Sequence, residues 1–368
     1  MIQSIKHYLR WKIRRATQKK WKIILSKIDR VDLSPSVKQQ IIHQWGEKIT
    51  SGDIQQLAAL CQISGEVSAR FVPEFHYYFV IEPALNQRGF ALAYSDKNFY
   101  ERFLVYPSGL FVPTVLRSMN GELMRSDYTR CSIQEATDLL SVGVEYIFKP
   151  STSTSGGSDV ALITKNERGE IHLGDQRFAS FIEAMQANGL VHGNYIIQQR
   201  VQQHPWFARW NPSSLNTVRL MTYRSVLTEK VHPIGSVIRF GRPGSIVDNQ
   251  AAGGLTCGID QKGFSRDFVC DKYGRISYDG NFREAVPGYE RIIEIAQMLA
   301  AQFPYHRLLG FDFCVNDAGD VHLLEVNCKN IEVNFIQMNN GPLFGDLLDE
   351  VITSARQTSR SHLFEIHY

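Results

Sequence analysis

Residues 308–330 read LLGFDFCVNDAGDVHLLEVNCKN, two apolar runs joined by Asp317-Ala318-Gly319-Asp320. The pattern predicts an antiparallel hairpin. A turn centred between Ala318 and Gly319 sets Asp312 directly opposite Glu325 and projects Asn327 from the same face. Carboxylates inside apolar strands cost several kcal/mol, on the order of a desolvated charge, unless they are paired or bind metal. Neither strand supplies a Lys or Arg on that face. Two carboxylates and an amide oxygen are hard ligands suited to one or two Mg²⁺ ions, so Asp312, Glu325 and Asn327 are the candidate metal ligands. The competing reading is an edge hairpin with solvated acids.

Upstream, residues 148–160 (FKPSTSTSGGSDV) place Lys149 at the end of an apolar strand and follow it with a loop of Ser, Thr and Gly. Backbone N–H groups and hydroxyls of such a loop suit a polyphosphate. The stretch is neither a Walker A sequence nor a G-x-G-x-x-G fingerprint. Arg219 in NTVRLMTYR and Arg239 in VIRFGR fall within strand-like runs, where a guanidinium needs an anionic partner such as phosphate, a substrate carboxylate or an ordinary salt bridge. Residues 244–260 (GSIVDNQAAGGLTCGID) read as a loop bringing backbone close to a ligand.

Around these motifs the periodicity predicts helices in residues 1–70, with Asp53 capping the second amphipathic run. Strands are expected in VEYIFKP, YIIQQRV and VHPIGSVIRF, and a hairpin turning at Glu167-Arg168-Gly169. Helices are expected in FASFIEAMQANG, YERIIEIAQMLAAQF and GDLLDEVITSAR. Strands and helices mix without βαβ alternation, so the fold class is α+β with mainly antiparallel sheets. The expected organisation is a basic helical region at 1–70, a small linking subdomain at 71–140, a lid with the phosphate loop at 141–202, and a metal-binding subdomain at 203–368.

In these positions and this order, SDK at 95–97, FKPSTSTSGG at 148–157, IIQQRV at 196–201, NTVR at 216–219, GFDF at 310–313 and LLEVN at 323–327 resemble the ATP-grasp enzymes. LNTVRLMTYR with IRFGRPGSIVDNQAAGG is most similar to the sugar-transfer-associated branch. The resemblance implies the ATP-grasp fold, in which two α+β subdomains clamp ATP, here preceded by a helical N-terminal region. It implies that Lys97 and Lys149 bind the ATP phosphates together with Ser155, Gly156 and Gly157. It also implies nucleotide contacts from Gln198, Gln199 and Val201, an Arg219 near the γ-phosphate, and Mg²⁺, two ions, on Asp312, Glu325 and Asn327. Lys149, Arg219 and Arg239 are the expected catalytic residues. The expected reaction is ADP-forming ligation of a carboxylate to an amine through an acyl phosphate. The carboxylate implied is on a sugar or polysaccharide precursor such as a uronic acid, and the amine is an amino acid or similar donor. A sugar kinase using the same site and a non-catalytic nucleotide-binding scaffold are the rival readings.

With 368 residues and 43% hydrophobic content the chain can build a multidomain globular protein. Six scattered cysteines form no C-x-x-C pair, which argues against a disulfide framework or structural zinc. No apolar run is long enough for a membrane span, so the expected location is cytoplasmic, peripherally at the inner membrane surface. The formal charge of +3 conceals an asymmetry, since residues 1–30 hold ten Lys or Arg against the single acid Asp29. Such a segment suits contact with a membrane surface or a glycosyltransferase partner, or else a solvated helix packed on its own domain. Nucleic acid is not an expected partner.

Overall fold

The computed structural model describes residues 2–28, 32–46, 49–106, 108–152, 160–242, 244, 253–279 and 283–358, with side chains from Trp11 onward. The first 64 residues supply three helices, Ile2–Leu25, Pro35–Trp45 and Ser51–Ser64. The last starts at a capping box: the Thr50 hydroxyl accepts from Asp53 N at 3.3 Å and the Asp53 carboxylate accepts from Thr50 N at 2.9 Å. Thr50 is therefore the cap, and Asp53, expected in that place, is its reciprocal partner three residues on. Short helical turns carry the chain from Glu74 to Phe103.

Two seven-stranded sheets follow, every pairing in them antiparallel. The first contains β1 (Thr114–Met119), β2 (Glu122–Arg125), β3 (Tyr146–Pro150), β4 (Ala161–Lys165), β5 (Ile171–Leu173), β6 (Gln176–Phe178) and β7 (Tyr195–Gln199), in the order β2-β1-β7-β3-β4-β5-β6. β1 and β2 come from the aromatic, proline-punctuated stretch before residue 140 and pair through β7 with the later strands, so one sheet spans two of the segments that composition separated. The second sheet contains β8 (Thr217–Arg224), β9 (Val231–Phe240), β10 (Leu255–Ile259), β11 (Ser265–Asp271), β12 (Gly274–Ile276), β13 (Leu308–Val315) and β14 (Val321–Asn327), ordered β12-β11-β10-β9-β8-β13-β14. β10 occupies part of the stretch expected as loop. Its Gly and Cys give little local strand signal, and pairing with β9 and β11 decides the outcome.

Three apolar clusters divide the described core. Helices Ile133–Leu139 and Phe181–Ala187 cover the first sheet. One face of the second sheet, with Val218, Leu220, Phe311 and Phe313, packs on helix Tyr289–Ala300. The other face, with Met221, Tyr223 and Val237, packs against the N-terminal helices and helices Asn334–Asn340 and Leu348–Gln357. Because both faces are covered, β13 is buried along its whole length.

Candidate active site

The β13–β14 register sets Asp312 against Glu325 and Asn327 against Gly310. It gets there by an unexpected route. Near the turn, Val315 pairs with Val321, Cys314 with His322 and Phe313 with Leu323, a register that would carry Asp312 onto Leu324. A bulge between Asp312 and Phe313 shifts the pairing by one and restores the facing carboxylates.

The cations that the hairpin lacks come from its neighbours. Asp312 lies beside Arg219 on β8, whose Nε donates to Oδ1 and whose Nη2 donates to Oδ2 at 2.6 Å. Arg239 on β9 adds Nη1 to Oδ2 at 3.3 Å. Gly310 leaves room for Ile331, whose Cγ2 a Cβ there would meet at 3.1 Å. Burial would raise the Asp312 carboxyl, but Arg219 and Arg239 outweigh it and hold the group below the usual carboxylate range. The acid is therefore balanced by a buried pair of arginines, the salt-bridge alternative that the sequence left open for Arg219 and Arg239. Glu325 remains partly exposed and takes Lys97 Nζ at 3.3 Å. Asn327 donates Nδ2 to Gly310 O at 3.3 Å, an acceptor-only partner that fixes the amide and leaves Oδ1 as the ligand atom. Glu325 and Asn327 Oδ1 fit a hard divalent cation; Asp312 fits one while sharing its carboxylate with the arginines.

Two lysines reach this hairpin, Lys149 from the first sheet and Lys97 from the turn between helices Ala91–Tyr94 and Tyr100–Phe103. Lys149 is the penultimate residue of β3, opposite Ile196, and desolvation, then the like charge of Lys97, pushes its ammonium down to about 8, opposed by Glu325. Lys97 is anchored by its backbone N–H to Ser151 O at 2.8 Å, where the phosphate-loop stretch begins. Ser155, Gly156 and Gly157 lie outside the described residues. Gln198 is held in the sheet: its Nε2 donates to Val112 O at 3.0 Å and Thr114 Oγ1 at 3.3 Å, so its side chain serves β1. Gln199 is exposed, Arg200 pairs with Glu145, and Val201 opens the linker between the sheets. That linker is stitched to the hairpin turn by Asp317 N to Gln202 O and His204 N to Val315 O, both 2.9 Å. In that linker, His204 caps its own short helix by accepting from Trp206 N at 3.1 Å.

Residues 80–352 match the family model described as sugar-transfer associated ATP-grasp. The chain belongs to that family. No curated protein matches it in sequence. Among solved structures, D-alanine–D-alanine ligase from Bacillus anthracis complexed with ATP is 11% identical with a TM-score of 0.39, over 76% of this chain and 70% of that one. N5-carboxyaminoimidazole synthetase from Staphylococcus aureus complexed with ADP is 10% identical with a TM-score of 0.40, over 72% of this chain and 53% of the other. The chain thus spans about half the length of that synthetase.

The ATP-grasp site contains one bridge that no motif announces. β14 is an edge strand, and its Val326 N–H, between Glu325 and Asn327, donates to the buried Tyr100 hydroxyl at 2.8 Å. The same hydroxyl donates to Ser95 O at 3.3 Å, two residues before Lys97. Tyr100 therefore positions the lysine turn against the candidate metal strand. Tyr100→Phe is expected to orphan a buried N–H and cost about 1–2 kcal/mol of stability. Because it loosens both partners at once, it should also weaken Mn²⁺ binding read by electron paramagnetic resonance; unchanged metal affinity would leave Tyr100 a purely structural residue.

Proposed function

We propose that this ATP-grasp protein is an ADP-forming carboxylate–amine ligase acting on a sugar-linked carboxylate, such as a uronic acid, with an amino acid or similar amine. The observation that carries the reading is the meeting of Lys97, from a turn between short helices, and Lys149, from the first sheet, with Glu325, Asp312, Asn327 and Arg219 from the second sheet. Mg·ATP, when bound, supplies the phosphoryl group that converts an unreactive carboxylate into an acyl phosphate, which an amine can then open. The chain's own residues supply charge and position. Lys97 and Lys149 meet the phosphate oxygens, and Glu325 with Asn327 Oδ1 and Asp312 hold the cation. Arg219, kept in orientation by its two bonds to Asp312, faces the negative charge that develops on transfer. Arg239, whose Nη1 donates to Asp312 Oδ2, is suited to orient the substrate carboxylate. The sugar assignment is supported by the family's association with sugar transfer.

The test is ADP and AMP release with Mg²⁺ over a panel of uronic-acid sugars, with and without amino acids. ADP requiring both partners supports the ligase. ADP with a stable sugar phosphoester and no need of amine would make the protein a kinase, and AMP would overturn the proposed chemistry. Glu325→Ala is expected to abolish Mg-dependent turnover while leaving the circular dichroism unchanged, because the residue is partly exposed. Retained turnover would remove Glu325 from the metal set.

A further inference from the structure

Helix Ile2–Leu25 has two faces with different duties. One is fixed to the protein: Trp21 and Ile24 are buried, and Trp21 Nε1 donates to Glu74 Oε2 at 2.7 Å. Lys20 reaches Glu74 at 3.1 Å, and Arg14 bonds Asp53 at 2.8 Å. At 3.6 residues per turn the opposite face carries Lys12, Arg15, Lys19 and Lys22, all exposed. Trp11, 54% exposed, and Ile23, 40% exposed, flank that stripe. The Arg15 guanidinium lies over the Trp11 ring at 5.1 Å.

We propose that this outward face docks flat on an anionic lipid surface, independently of the reaction proposed above. The first acid of the chain is Asp29, so the stripe carries no acidic residue to offset its four cations. Residues after 30 are acidic overall, which leaves this helix as the segment drawn to negative charge. An exposed Trp and Ile beside a basic stripe gain nothing against a phosphodiester duplex but insert at the boundary between headgroups and acyl chains. The helix is also positioned relative to the active site, since Lys20 Nζ lies 3.9 Å from Glu332, five residues beyond Asn327. Docking would thus set the orientation of the cleft relative to the lipid.

The experiment is co-sedimentation of the full chain with phosphatidylcholine vesicles, with and without phosphatidylglycerol, at low and high salt. Binding only to the anionic vesicles, and weakened by salt, is expected. Each basic side chain near such a surface is worth roughly fivefold in partitioning. The variant K12Q/R15Q/K19Q/K22Q should therefore bind several hundred-fold more weakly while keeping its melting temperature and nucleotide affinity. Trp11→Ala, with all charges kept, should lose about tenfold. Equal binding to neutral vesicles, no binding at low salt, or tighter binding to duplex DNA or RNA than to the anionic vesicles would each overturn the proposal. An unfolded quadruple variant would leave Trp11→Ala to decide: unchanged partitioning of that variant would overturn insertion.

Discussion

Asp312→Asn is expected to leave a protein that is both inactive and less stable by about 3–5 kcal/mol, the cost of breaking a buried ion pair on one side. The substitution keeps the shape of the side chain and removes its charge, so Arg219 and Arg239 face each other across a neutral amide in a site where both are largely buried. Thermal melting separates this from the effect on chemistry. Adding Arg219→Met to Asp312→Asn removes one of the uncompensated cations, and the double variant is expected to melt above the Asp312→Asn single variant while remaining inactive. A double-mutant cycle should show coupling of about 2 kcal/mol or more. Additive losses would mean that the bidentate contact contributes little to the fold. The acid limb has a defined sign. Because the folded carboxyl is held below its ordinary range, its contribution is present above that range and is lost as pH falls through the depressed value. Asp312→Asn should therefore flatten the acid side of the stability profile.

The facing carboxylates were legible from the sequence because acids stand out in apolar strands and a short turn fixes which residues oppose each other. The bulge at the Asp312–Phe313 step was not legible, since nothing local marks Leu324 as the extra residue. The inferred register was reached only because the hairpin starts one position away from the assumed centre and the bulge compensates. The arginine partners were beyond reach for a different reason. Arg219 is 93 residues from Asp312, and only the β8–β13 pairing, a long-range choice, brings them together. The two lysines were found by their neighbours in sequence, yet their mutual repulsion depends on Lys97 folding back onto Ser151, a backbone contact without a side-chain signature. β1 and β2 were hidden among prolines and aromatics that read as punctuation. Helix 334–340 was hidden because its cover on the second sheet is a tertiary matter. Tyr100 is the clearest case, an ordinary aromatic residue until the edge of β14 arrives beside it.

Lys149→Met should have effects of opposite sign on stability and on nucleotide binding. The Lys149 ammonium is desolvated and lies near a second ammonium, and its pKa, pushed down to about 8 from an ordinary 10.5, reflects how poorly the folded state accommodates that charge. The folded protein holds the proton less tightly than the unfolded chain, so the penalty is complete below pH 8 and is relieved as pH rises from about 8 toward 10.5. Methionine keeps most of the stem and removes the charge. At neutral pH the variant is expected to be more stable by about 1–3 kcal/mol, since each pKa unit corresponds to roughly 1.4 kcal/mol, and to lose that advantage as pH is raised. The same residue gives up its strain when phosphate oxygens approach, so the variant should bind ATP on the order of 100-fold more weakly. The wild-type chain should take up a fraction of a proton on binding nucleotide above pH 8, seen as a buffer-dependent binding enthalpy in calorimetry. Lys97→Met gives the contrast. It removes the like charge from Lys149 but also breaks the ion pair with Glu325, so it should weaken nucleotide binding without stabilising the fold. A Lys149→Met protein that melts no higher than wild type at neutral pH, and binds nucleotide without proton uptake at any pH, would show that the two lysines do not form the strained cationic pocket described for them. Gain in one property and loss in the other would show that the fold tolerates an unfavourable charge where the ligand needs it.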